Sequence, residues 1–163
     1  MLHKRFPIFF VDAMLGNIAR KLRLLGYDTK YFSEISDEKL IKNAKDEGRI
    51  IISRDEDLIK KSQKLGIKSI YLTKIDEIEQ FYEIISNVNL DISQINGDTA
   101  RCPICNSITE NIDKSYTRDK VPEKVYDSNE QFWICKSCDK LYWEGTHIKN
   151  LQKFVGKINE RLQ

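Results

Sequence analysis

The sequence predicts an α/β fold with a mainly parallel sheet flanked by helices, followed by a small zinc ribbon and a terminal helix. Three observations carry this. Short apolar runs alternate with stretches of helical periodicity through the first ~96 residues. Ile50, Ile51 and Ile52 form an uninterrupted β-branched run, the pattern of a strand buried on both faces. Two C-x-x-C pairs, Cys102/Cys105 and Cys135/Cys138, stand in the last third.

Pro7 to Val11 is a short apolar strand ending at Asp12. Leu15, Ile18, Leu22 and Leu25 follow at helical spacing, and Gly26 is placed to end that helix. Thr29 to Phe32 reads as a second strand. Ser36-Asp37 opens a helix carrying Leu40, Ile41 and Ala44, closed near Gly48. The isoleucine run is the third strand. Ser53-Arg54-Asp55-Glu56 opens a third helix, which Gly66 stops. Lys68 to Leu72 is a fourth strand. Ile75, Ile78, Tyr82, Ile85 and Val88 mark one face of a fourth helix. Asn96-Gly97-Asp98 is turn-like and sets the expected boundary, giving domains 1–96 and 97–163. A charged insert spans about 113–130. Ile148, Leu151, Phe154, Val155, Ile158 and Leu162 form the stripe of a last helix, which must pack onto one of the modules.

The 163 residues are 40% hydrophobic and 32% charged, a balance that excludes a disordered chain. A net charge of +2 does not announce a nucleic-acid binder, so any basic surface comes from local clustering. No stretch approaches the roughly 20 apolar residues that span a bilayer. Leu2 to Val11 is broken by His3, Lys4 and Arg5, which reads as a first strand and not a signal peptide. The expected location is cytoplasmic, with no membrane contact. In a reducing compartment the four cysteines are ligands before they are disulfides.

Zn²⁺ favours four thiolates in a tetrahedron, and closely spaced pairs on tight turns supply two each. Ser107 to Ile112 and Lys140 to Trp143 are β-rich stretches after each pair, a zinc-ribbon layout. The alternatives are disulfides or a redox pair. Four cysteine ligands leave no open position, so this zinc stabilises and does not catalyse.

Asp12 and Asp55 lie at the C-terminal ends of the first and third strands, with Asp57 two residues on and Asp37 at the start of the second helix. Sites in open parallel sheets form outside the carboxyl ends of the strands. Clustered carboxylates repel unless a cation neutralises them, and oxygen-only ligands suit Mg²⁺ or Mn²⁺. Such ions serve phosphodiester hydrolysis. The bland alternative is helix capping, since all three positions are helix starts and Ser53-x-x-Glu56 matches a capping box. Asp57 has the alternative of a solvated first-turn acid. The two histidines, His3 and His147, stand far apart in the sequence, against a paired-histidine mechanism.

Arg20, Lys21 and Arg23 on the first helix, and Arg54 beside Asp55, are candidates to hold a phosphate backbone; a solvated charged face is the alternative. Tyr142, Trp143 and His147 offer rings for bases, or for packing around the zinc.

Several segments taken together resemble a known family. They are D-A-M-L-G-N-I-A-R-K-L-R-L-L-G-Y-D at 12–28, S-D-E at 36–38, G-R-I-I-I-S-R-D at 48–55, R-C-P-I-C-N at 101–106 and C-K-S-C-D-K-L-Y-W-E-G-T-H at 135–147. The chain resembles the Mut-seven C-terminal RNAse domain family, a PIN-like nuclease fold fused to a zinc ribbon. The resemblance covers nearly the whole chain. It implies a metal-dependent ribonuclease with a PIN-type acidic site at Asp12, Asp37 and Asp55, Asp57 being a weaker match, and basic helix positions at Arg20 and Arg23. Ser53 stands where Thr is usual, and Lys21 where Trp is frequent.

The leading expectation is therefore an Mg²⁺- or Mn²⁺-dependent ribonuclease. Its ribbon would help dock RNA, or a protein or ribonucleoprotein partner. The rival is a non-catalytic RNA- or protein-binding adaptor whose carboxylates only cap helices. A toxin-like nuclease with a cognate inhibitor is a third reading, less attractive because of the ribbon.

Overall fold

A computed structural model describes residues 6–92 and 95–163. The chain forms two compact units. The first runs to Leu22 and resumes over Tyr27–Asp91; the second combines Arg23–Gly26 with Ile92–Gln163.

The first unit alternates β1 (Phe9–Val11), α1 (Gly16–Leu24, entered through a 3₁₀ turn at Ala13–Leu15), β2 (Thr29–Tyr31), α2 (Asp37–Glu47), β3 (Ile50–Ser53), α3 (Glu56–Lys64), β4 (Ser69–Tyr71) and α4 (Glu77–Val88). The last two residues of α1, Arg23 and Leu24, belong to the second unit. The four strands are parallel in the order β2-β1-β3-β4. From β1 the chain steps to one side for β2, then returns across β1 to β3 and continues to β4. Right-handed crossovers then put α1 on one face of the sheet and α2 and α3 on the other.

Side chains follow that layering. Phe10 and Ile51 are partners in the register and share a core with Leu40 and Ala44 of α2 and Leu58 and Ile59 of α3. Phe9 and Ile52 alternate to the opposite face and are equally buried. Each such side chain contributes about 1.5–3 kcal/mol on burial. The Lys21–Glu77 ion pair, 2.8 Å, ties α1 to α4. Helix α2 stops because Gly48 takes a left-handed conformation, φ 69°, and its N–H caps Ala44 and Lys45. Buried Arg49 pairs with Asp28 at 2.8 Å and Glu47 at 2.6 Å.

Helix α4 differs from the expected stripe. Phe81, Ile84 and Ile85 are buried, Ile78, Tyr82 and Val88 half-buried, and Ile75 exposed. Asp76 caps the helix after Ile75, so Ile75 falls outside it. Gln80 is buried because its amide donates to the Lys74 carbonyl, 2.9 Å.

The second unit holds β5 (Glu110–Ile112), α5 (Glu123–Ser128), β6 (Phe132–Cys135), β7 (Lys140–Tyr142) and α6 (Thr146–Leu162). Its sheet is antiparallel, β5-β6-β7. Strand β6 runs into the second cysteine pair, an element the sequence pattern did not single out. The charged insert is ordered by Lys114, which pairs with Glu130 at 2.9 Å and lies 4.7 Å from the Tyr126 ring centre. Helix α6 buries Leu151, Val155 and Ile158, while Leu162 at its end is exposed. The Asn96-Gly97-Asp98 turn is part of the packing. Asp98 accepts from the Trp133 indole N–H at 2.9 Å, and a Cβ on Gly97 would sit 2.2 Å from the Trp133 ring. Gly97→Ala is therefore expected to displace a buried indole and destabilise this unit by about 1–3 kcal/mol. Denaturant unfolding followed by tryptophan fluorescence checks it; an unchanged midpoint would mean the turn is free to move.

Candidate functional site

Two clusters of chemistry-bearing side chains emerge, one in each unit. The first stands at the carboxyl ends of β1 and β3, where the strand order reverses. The main chain of Asp12 donates to the Ile52 carbonyl at 3.0 Å, so the two strand ends are tied together. Ser53, fully buried as the last residue of β3, joins the acidic groups. Its hydroxyl donates to Asp12 Oδ2 at 2.7 Å and accepts the Asp55 N–H at 2.9 Å. Asp12 Oδ1 accepts from Ala13 N at 2.7 Å, capping the 3₁₀ turn. Asp55 caps α3 through Oδ1, which accepts from Asp57 N at 2.9 Å and Leu58 N at 3.1 Å.

The capping alternative is thus half right. Asp12 and Asp55 are caps. Asp37 is not: Ser36 takes that place in α2, accepting from Lys39 N, and Asp37 is the first helical residue. Nor does Ser53 form a capping box with Glu56, because its hydroxyl turns to Asp12 and Asp55 instead.

Partial burial pushes the Asp37 carboxyl above its ordinary range, and the negative charges of Asp55 and Asp12 push it further; Lys61 opposes them. The three carboxylates therefore feel one another. They are not drawn to a common point: among the described residues, the four cysteines are the one group of three or more His, Cys, Asp or Glu side chains placed to hold a metal. Asp57 is exposed in the first turn of α3. Ser53, read from sequence only as a cap, and Lys61, not singled out there, both act on the acidic groups. Ser53 lay in the S-R-D motif, and Lys61 follows Asp57 by one helical turn.

The basic positions separate. Arg20 and Arg54 are exposed. Lys21 pairs with Glu77. Arg23 is only 5% exposed, and its guanidinium donates to the carbonyls of Pro103 at 2.8 Å and Ile104 at 3.2 Å. It braces the first cysteine turn and presents nothing to solvent for a phosphate.

In the second unit the sulfur atoms of Cys102, Cys105, Cys135 and Cys138 all lie within 4.8 Å of one another. A tetrahedron with Zn–S bonds of about 2.3 Å has edges of about 3.8 Å, so the set fits that ion. No disulfide links them. The residue after each pair, Asn106 (φ 71°) or Asp139 (φ 56°), is left-handed, and both residue types tolerate this. The turn returns its backbone through Asn106 N to Cys102 O, 2.9 Å, and Cys102 N to Ser107 O, 2.8 Å. Burial raises the Cys105 thiol, but hydrogen bonds with Ser107, Cys138 and Cys135 together outweigh it and bring it to about 6. The hydrogen bond with Cys105, then burial, push Cys138 up to about 12. Tyr142, a candidate stacking ring, has its hydroxyl 3.0 Å from Cys102 Sγ; burial and that bond raise its pKa. Were a metal held by the four cysteines, this hydroxyl would steady one of its ligands.

A family model, the Mut7-C RNAse domain, matches residues 7–155. The chain belongs to the Mut7-C RNAse domain family. The match spans both clusters, and the family's description gives the chain a nuclease-type function with RNA as substrate. No curated protein and no solved structure matches it. Among the described residues, no helix of this Mut7-C protein is long and apolar enough to cross a membrane.

Two outcomes follow. Since the folded state raises the Asp37 pKa, its ionisation opposes folding. Stability from this group is full below the unfolded value of about 4 and is lost as pH rises through the folded one. The melting temperature of Asp37→Asn should therefore gain on the parent between pH 4 and 7; a gap that stays flat would mean that Asp37 feels no repulsion. Tyr142→Phe should weaken zinc by about tenfold, read by competition with a chromophoric chelator. Equal affinity would make the hydroxyl a bystander.

Proposed function

We propose that this Mut7-C protein is an Mg²⁺- or Mn²⁺-dependent ribonuclease. Its acidic site comprises Asp12, Asp37 and Asp55, with Asp57 at the margin, and lies in a PIN-like module over residues 1–96. The observation that carries the reading is the Asp12–Ser53–Asp55 linkage at the switch point of the sheet. Helix caps alone do not require two strand ends to share one buried hydroxyl. The all-oxygen donor set suits a hard divalent cation. Asp12, Asp37 and Asp55 would hold it; the Asp37 carboxyl is raised by burial first and then by the charges of Asp55 and Asp12, and such an ion would relieve that second contribution. When bound, the ion supplies Lewis-acid stabilisation of the attacking and leaving oxygens.

The chain's own groups do the rest. Ser53 orients the Asp12 carboxylate, and the Ala13 N–H fixes its other oxygen. Lys61 balances part of the negative field. Exposed Arg20 and Arg54 serve as phosphate contacts. Residues 97–163 form the docking module, with structural Zn²⁺ on Cys102, Cys105, Cys135 and Cys138. Trp143 and His147 are its RNA contacts, and a protein or ribonucleoprotein partner is the other candidate for its surface. Four reduced thiols suit a reducing compartment, so we place the protein in the cytoplasm.

The adaptor reading is supported by the cap bonds of Asp12 and Asp55. It predicts RNA binding without cleavage and no response to Mg²⁺ or Mn²⁺. Cleavage of a labelled, structured RNA decides. Asp12→Asn is expected to lower the rate by at least about 100-fold, and Ser53→Ala by about 10–100-fold, with zinc content unchanged. Full activity in Asp12→Asn would overturn the assignment.

A further inference from the structure

The second unit contains a cavity of about 620 Å³, walled mostly by apolar side chains. The volume is that of a small-ligand site. Trp133 and Trp143 both line it, with His147 exposed at its edge. Trp143 is held in place: its ring meets Phe132 at 6.4 Å between centres, and its indole nitrogen lies close over Gly145, where a Cβ would stand 2.9 Å away. A fixed ring on a cavity wall is a stacking platform whose ordering entropy is met in folding.

The rim has a sign. Arg101 and Lys140 line the cavity against one carboxylate, Glu144. Lys140 is exposed and has no ion-pair partner among the described residues. Gly145, Thr146 and His147 also line the cavity, and they begin α6. That helix has no side-chain cap and no acidic residue in its first turn, so its free N–H groups add to the positive rim. An apolar peptide would want neither the cations nor the open helix end. A flat aromatic group carrying an adjacent anion fits both wall and rim.

We propose that this cavity receives an unstacked base of single-stranded RNA. Trp143 stacks on the base, and Lys140 with the start of α6 meets the neighbouring phosphate. The inference rests on RNA being the substrate and gives the ribbon unit the single-strand preference. Pro103 and Ile104 of the first cysteine turn line the cavity wall, so zinc on the four cysteines would act on RNA binding through shape alone.

The test uses the full zinc-loaded chain carrying Asp12→Asn and a fluorescein-labelled single strand of about 12 nucleotides, within the range of such sites. Trp143→Ala should weaken binding by about tenfold, and Trp143→Phe should restore most of it. Lys140→Ala should lower the salt slope by about 0.7. The matching duplex should bind more weakly and be indifferent to Trp143. Zinc content is read on every variant. If Trp143→Ala fails to hold zinc, Lys140→Ala and quenching of the parent's tryptophan fluorescence by the strand decide. Unchanged affinity and salt slope, or a duplex bound as tightly as the strand, would overturn the proposal. Cleavage by the chain with Asp12 intact separates the two readings. Cleavage without any Trp143 effect sinks the pocket and spares the nuclease. Trp143-dependent binding without cleavage does the reverse.

Discussion

The parallel pairing of β1 with β3 is the constraint on which the acidic site depends. Register runs from Phe9↔Ile50 to Val11↔Ile52, so both strands end level, and Asp12 and Ser53 emerge side by side. A slip of one residue would turn each side chain to the opposite face and break the Ser53–Asp12 bond. The register is held by what the strands bury. Phe10 and Ile51 fill the core under α2 and α3, while Phe9 and Ile52 fill the other face. The apolar core thus positions polar atoms it does not contain.

Capping and metal binding are usually weighed as rivals, yet the cap bonds of Asp12 and Asp55 leave room for both. A carboxylate oxygen has two lone pairs. Asp55 Oδ1 accepts both cap bonds of α3, which orients its carboxylate outward from the strand end. Asp37 caps nothing, and burial first, then the charges of Asp55 and Asp12, drive its pKa upward.

The fold was legible wherever burial leaves a periodic trace. The isoleucine run, the alternation of strand and helix, and the two cysteine pairs mark the parallel sheet and the ribbon. Three features were not legible, each for a physical reason. Arg23 reads like its neighbours Arg20 and Lys21 along the helix, but its role depends on carbonyls at Pro103 and Ile104, 80 and 81 residues away. Ser53 looks like a cap in the motif, and only the adjacency of β1 and β3 shows what its hydroxyl joins. Gly97 reads as a turn residue, whereas Trp133 determines what it must be. Local pattern gives element and layer; long-range polar partners come only from topology.

The ribbon unit shows why a metal site and an open aromatic cavity go together. A small module buries too little apolar surface to order its loops by itself, and a four-thiolate metal site takes over part of that task. Once the cysteine turns are fixed by the Arg23 brace and their own hydrogen bonds, with a metal to add where one binds, the rings beside them need not all collapse into a core. Trp133 does, anchored by Asp98 and packed on Gly97. Trp143 remains half-buried on a rigid strand end, between Phe132 and the start of α6. A ring held this way loses little entropy when a ligand stacks on it. A metal on the four cysteines would add to that order while leaving the Trp143 ring half-buried at the cavity wall.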